Sequence, residues 1–222
     1  MTSTVFEKSY SAFLFDMDGT LLSSIAAAER VWSAWAERHR LDVERFLPTI
    51  HGVRAADTIR RQNLPDIDLD AEVEWVARGE LEDVDGVVAI DGVVDFLDAL
   101  PVDRWAIVTS ASLELATRRL AAAGIPLPPM MISAADVTRG KPNPDGFLLA
   151  ASRLGFDPVD CLVFEDAPAG IQAAEASGGD VMVITATHQH AVETPHHAVR
   201  DYSAIAARVE SDGRLTVVTQ KT

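Results

Sequence analysis

Two aspartates two positions apart, Asp16 and Asp18, follow an apolar run in the stretch "FLFDMDGTLL". Carboxylates this close repel one another, and drawing them out of water is costly, so something positive must sit between them. Three more polar groups stand further along: Thr109 and Ser110 in "IVTSAS", Lys141 in "RGKPNPDGF", and the pair Glu165–Asp166 in "VFEDAPAGI". These residue types together suit phosphoryl transfer. A carboxylate at a strand tip can act as nucleophile and form an aspartyl phosphate, which splits one hard step into two; Asp16 is the candidate. Asp18 points to the same side in an extended chain and can protonate the leaving oxygen, then deprotonate water. Gly19 lets the backbone turn and bring its N–H groups near a phosphate. Thr109 or Ser110 supplies a hydroxyl, backed by the positive N-terminus of the following helix. Lys141 neutralises the nucleophile and the transferring group, and the two prolines after it stiffen its backbone. Oxygen donors from Asp16, Asp166 and the Asp18 carbonyl suit Mg²⁺.

Such a set works only if the fold brings it to one place. Residues 12–15, 105–109, 130–134, 161–164 and 181–185 are short apolar runs that read as strands buried on both faces. Helical spacing fills 112–123, 145–154 and 169–177, with Gly124, Gly155 and Gly178 at the ends. Strand and helix alternate from about residue 92 onward, which predicts a parallel sheet with helices on both faces. All four polar groups then fall at carboxyl ends of strands, the edge where ligands bind in open α/β sheets. Between about 22 and 85, helical periodicity runs without a convincing strand. The expected fold is therefore α/β, a Rossmann-like parallel sheet core (1–21 and 88–222) with an inserted helical-bundle cap (22–87). The turns "NLPDID" and "AIDG" are the expected hinges, and the tail "LTVVTQ" is an expected edge strand.

Composition narrows the function classes. The chain has 222 residues, about half of them apolar, enough to bury a sizeable core. Its formal charge of −15 argues against nucleic acid as a partner, since a phosphate backbone demands a basic footprint. No secretory signal pattern opens the chain and no apolar run approaches the roughly 20 residues of a membrane span, so no membrane partner is expected. The single cysteine, Cys161, lies in an apolar run and fits a packed residue in a cytoplasmic protein. Trp32, Trp35 and Trp75 follow helical faces and are expected to pack inside the cap. The histidines of "THQHAVETPHH" match no metal-ligand spacing and are expected in a solvated loop.

The motifs "DMDGT", "IVTSAS", "GKPNPD" and "FEDAPAG", in that order over essentially the whole chain, resemble the haloacid dehalogenase superfamily, specifically its Mg²⁺-dependent phosphatases with a small helical cap. The resemblance implies Asp16 as nucleophile, Asp18 as acid/base, Asp166 as the main metal ligand beside Asp16, and Glu165 as a supporting residue. "HGVRAADTI", "WAIVTSAS" and "VFEDAPAGIQAA" look most like the sugar- and polyol-phosphate phosphatases, such as the 2-deoxyglucose-6-phosphatases and glycerol-3-phosphatases. Dehalogenases proper lack the second aspartate. β-Phosphoglucomutases carry an arginine where this chain has Ala55, with Arg54 one place earlier, which weakens a mutase assignment. Ser23 and Ala111 stand where the family often has aspartate and glycine. His51 and Arg54 in the cap are candidates for contacting the substrate. The expected function is Mg²⁺-dependent hydrolysis of small sugar or polyol phosphates by a monomer. The alternatives are a hexose-phosphate mutase, or a regulatory protein that keeps the fold without turnover.

Overall fold

The computed structural model describes residues 3–188, 190 and 193–220. In chain order, β1 (Ala12–Phe15) is followed by β2 (Leu22–Ser23) and then four helices: α1 (Ile25–Arg38), α2 (Val43–Phe46), α3 (Ala55–Arg61) and α4 (Leu69–Glu82). The chain returns through β3 (Val88–Ala89) and continues as α5 (Val93–Asp98), β4 (Trp105–Val108), α6 (Leu113–Ala122) and β5 (Met131–Ile132). After these come α7 (Asp145–Leu154), β6 (Cys161–Glu165), α8 (Pro168–Ser177), β7 (Asp180–Ile184), β8 (His197–Val199), β9 (Ile205–Val209) and β10 (Leu215–Thr219). The main sheet has six parallel strands in the order β5-β4-β1-β6-β7-β8. Its order therefore reverses on either side of β1, as in Rossmann-like sheets.

The alternation of side chains along β1 sorts the two faces. Phe13 and Phe15 join Phe96, Trp105, Ile107, Phe164 and Tyr202 in one apolar layer under α5, α6 and the hairpin of β9 and β10. Ala12 and Leu14 face the other way, where Val108, Phe147, Ala150, Val163 and Ala173 pack α7 and α8. Small residues on this second face let the helices approach closely. The inserted helices have their own apolar cluster, built on Trp32, Trp35, Phe46, Ile59 and Val76. Caps delimit the helices: the Ser112 side chain accepts from Leu115 N–H, Asp68 accepts from Asp70 and Ala71, and α8 starts on Pro168.

Several local expectations need correction. The exit and return of the helical insertion are paired, Leu22 with Ala89 and Ser23 with Val88, so a two-stranded ladder marks the crossing. "AIDG" adjoins that ladder, whereas "NLPDID" is the turn between α3 and α4, inside the helical layer. The tail strand β10 pairs antiparallel with β9 rather than extending the main sheet. One edge of that sheet is β8, which begins at His197, the last residue of the histidine segment, whose other described residues form the expected loop. Gln189, Ala191 and Val192 of that segment lie outside the described residues. Trp75 is 37% exposed, with the Arg38 guanidinium 5.4 Å from its ring centroid, because α4 turns only one side to α1.

One carboxylate clamps α1 to α4. Glu72 accepts hydrogen bonds from Trp35 Nε1 (2.8 Å), Arg38 Nη2 (2.9 Å) and His39 Nε2 (2.9 Å). Burial alone would raise its pKa, yet His39, Trp35 and Arg38 together hold it below the ordinary glutamate range. Its contribution is thus present above the unfolded-state value and is lost as pH falls through the lower folded-state value. We expect Glu72→Gln to cost about 1–3 kcal/mol at neutral pH. Urea unfolding followed by tryptophan fluorescence should show the gap to wild type closing in acid.

Candidate active site

Sheet register builds the site. Phe15 pairs with Phe164, and Asp16 N–H donates to the Phe164 carbonyl at 2.9 Å. Asp16 and Glu165 therefore emerge level at the crevice where strand order reverses, with Asp166 one residue further on. Carboxylate oxygens of Asp16, Glu165 and Asp166 all lie within 4.8 Å of one another, and all three residues are buried. Lys141, buried in the loop ahead of α7, inserts its Nζ between Asp16 and Glu165, donating to Asp16 Oδ1 and, at 2.6 Å, to Glu165 Oε1.

The remaining oxygens decide what each carboxylate can do. Glu165 Oε2 accepts from the backbone N–H groups of Asp166 (2.8 Å) and Ala167 (3.0 Å), so both of its oxygens are taken. Asp166 Oδ1 accepts from the Thr20 hydroxyl at 3.2 Å. Burial pushes the Asp16 carboxyl up to about 7, with Lys141 opposing and Glu165 adding to the shift. Burial, then the Glu165 and Asp16 charges, push Asp166 well above the carboxylate range. Burial opposes the charge on Lys141, but Asp16 and Glu165 hold its pKa above the ordinary value. Three carboxyl groups crowd around one ammonium, more acid than Lys141 alone can neutralise, and hard oxygen donors remain on Asp16 and Asp166. That donor set fits a divalent cation such as Mg²⁺. The Asp18 carboxylate is not in this cluster; its expected share in metal binding was through its carbonyl.

Two glycines make the close approach possible. A Cβ on Gly19, whose φ is +93°, would lie 2.0 Å from Asp166 Oδ2. A Cβ on Gly170 in α8 would lie 1.6 Å from Glu165 Oε1.

The helical layer closes over this edge and leaves a cleft of about 1110 Å³. Asp16, Asp18, Gly19, Thr109, Ser110 and Asp166 line its floor. Thr109 Oγ1 accepts from Ala111 N–H at 3.1 Å, which leaves its own proton available. Ser110 Oγ instead donates to the Gly52 carbonyl of the helical layer at 3.1 Å. His51 and Arg54 both line the cleft. Arg54 is already engaged, through Nε with Asp57 at 2.8 Å and through Nη1 with the Thr138 carbonyl at 3.2 Å.

Several residues at the site were not singled out from sequence. Ser24 Oγ and Arg119 Nη1 both donate to Asp18 Oδ1, at 2.5 and 2.9 Å. Arg119 Nη2 also reaches Glu80 Oε1 on α4 at 3.1 Å. The signal for Arg119 was present: it interrupts the apolar stripe Leu115, Ala116, Leu120 of α6, a position where an unpaired charge would not be buried. His188, from the segment expected to be a solvated loop, lines the cleft and binds the Asp166 carbonyl through Nε2 at 3.0 Å. A carbonyl only accepts, so that nitrogen carries the proton.

Comparison with known proteins places the chain in a family. Residues 10–178 match the haloacid dehalogenase-like hydrolase family. The chain is 42% identical over 178 residues to hexitol phosphatase A of Escherichia coli (strain K12), covering 78% of this chain and 82% of that protein. It is 34% identical over 195 residues to glycerol-1-phosphate phosphohydrolase 2 of Saccharomyces cerevisiae, covering 80% and 75%. A solved hydrolase from Pseudomonas syringae shares the fold with a TM-score of 0.71 at 25% identity, covering 79% of this chain and 84% of that one.

Alanine in a helix interior normally gains about 1 kcal/mol over glycine. At Gly170 the added methyl would instead strike the Glu165 carboxylate and push it off Lys141. We expect Gly170→Ala to be destabilising by about 3 kcal/mol, read as a lowered thermal midpoint.

Proposed function

The chain belongs to the haloacid dehalogenase-like hydrolases and is a phosphatase, and on that premise we propose that it hydrolyses small sugar or polyol phosphate monoesters through an aspartyl-phosphate intermediate. The observation that carries this reading is the buried cluster of Asp16, Glu165 and Asp166 around Lys141 at the switch point of the sheet. Asp16, Asp166 and the Asp18 carbonyl would hold Mg²⁺, which when bound neutralises phosphoryl oxygens facing a negative nucleophile.

Asp16 attacks phosphorus as the ester P–O bond breaks. Asp18 gives its proton to the departing alkoxide oxygen, then takes one from the water that attacks the aspartyl phosphate. Inorganic phosphate leaves and the Asp16 carboxylate is restored. Lys141 holds Asp16 in line throughout, Glu165 holds Lys141, and Thr109 and Ser110 line the phosphate end of the cleft. The helical layer, residues 22–87 by our assignment, excludes bulk water and selects the leaving group. His51 and Glu29 at its rim suit hydroxyl groups better than a second anion. The protein would work as a cytoplasmic monomer; its one cysteine, Cys161, is buried and free, and no helix among the described residues is long and apolar enough to cross a membrane.

The test is phosphate release from three- to six-carbon phosphate esters, with Mg²⁺ and with a chelator. Metal-dependent release from several sugar or polyol esters is expected. No release from any ester by folded protein with Mg²⁺ would overturn the proposal, and an isomeric sugar phosphate from a hexose 1-phosphate would reassign it to a mutase. Asp16→Asn should lower turnover roughly a thousandfold or more while the circular dichroism spectrum is retained.

A further inference from the structure

Arg119 is 5% exposed and stands in the apolar stripe of a core helix, where a leucine would pack without bringing a charge out of water. What it meets there is specific. One terminal nitrogen binds the Asp18 carboxylate in the core and the other binds Glu80 of the helical layer, while its buried Nε has no hydrogen-bond partner among the described residues. The guanidinium is thus set by the two carboxylates rather than by satisfying its own donors. Asp18 Oδ1 receives two donors, Ser24 Oγ and Arg119 Nη1, so a proton on this carboxyl belongs on Oδ2. Rotation of the carboxyl would break both bonds.

We propose that Arg119 is a positioning residue for Asp18, and that Glu80 of the helical layer holds Arg119 in that position. The seating of the layer is thereby transmitted to the group that protonates the leaving oxygen. This rests on the assignment of Asp18 as the acid.

Leaving groups separate positioning of an acid from general structural support. An alkyl phosphate expels a poor leaving group that needs the proton, whereas p-nitrophenyl phosphate expels a stable anion that does not. The parameter to compare is kcat/KM, which stops at phosphoryl transfer to Asp16 and so reports the step in which the leaving group departs. For Arg119→Met and Arg119→Lys, kcat/KM on the preferred polyol or sugar phosphate should fall roughly tenfold to a hundredfold, against less than about threefold on p-nitrophenyl phosphate. Glu80→Gln, which leaves the Asp18 contact in place, should move the same ratio in the same direction by less. Equal falls on both esters, or no fall on the alkyl ester, would overturn the inference and leave the phosphatase assignment standing. If Arg119→Met does not fold by circular dichroism, Arg119→Lys and Glu80→Gln decide. Wild-type protein that releases phosphate from neither ester overturns the phosphatase assignment, and this inference with it.

Discussion

A buried ammonium shared between two carboxylates organises this molecule. Lys141 lies between Asp16 and Glu165, and Asp166 adds a third carboxyl group to the same buried cluster. Such a cluster persists only where the backbone leaves no alternative. Parallel register fixes β1 against β6, so that the two acidic tips arrive level. The two residues between β6 and α8, Asp166 and Ala167, offer their N–H groups to Glu165, and Phe147 lies under the ammonium at 5.3 Å. Each of these features serves to hold charge that water would otherwise solvate.

Apolar burial and polar contact divide the remaining work. Two aromatic and aliphatic layers hold the sheet to its helices, and a third cluster holds the inserted helices to one another. Across the boundary the named contacts are polar: Ser110 to Gly52, Arg54 to Thr138, and Arg119 to Glu80. A hydrogen bond between neutral groups, such as Ser110 to Gly52, is worth about 1 kcal/mol in net terms because water replaces it when it opens. Parting the buried Arg119–Glu80 pair would instead leave charge uncompensated.

The core was legible because its strands are continuous apolar runs and its polar residues fall at their ends. β1, β4, β6 and β7 begin and end within a residue of the apolar runs. The ladder of β2 and β3 was not visible, since two residues per strand carry no periodicity. β8 was missed because polar histidines and a proline outweighed "HAV", and β10 was misplaced because a strand pattern does not name its partner. At the site, the residues the structure brings together around Lys141, namely Asp16, Glu165 and Asp166, had been singled out by type and spacing. Arg119, Glu80 and His188 were not, because their meaning lies in contacts between distant segments. Ser110 and Arg54 were identified, but the engagement of both in holding the helical layer was not.

The paired ends of the insertion have a consequence for how such a protein can change. Leu22 and Ser23 lie beside Ala89 and Val88, so the run of helices begins and ends at one point, in a small ladder of its own. To the core, everything between is a loop whose ends are already joined, and loop closure grows only slowly more costly with length. Helices can be lengthened, shortened or exchanged beyond that doorway without shifting the register that aligns Asp16 with Glu165. The level alignment of the two acidic tips is thus insulated from change beyond the doorway, while Glu80, which reaches back to Arg119, is a position there still tied to the core.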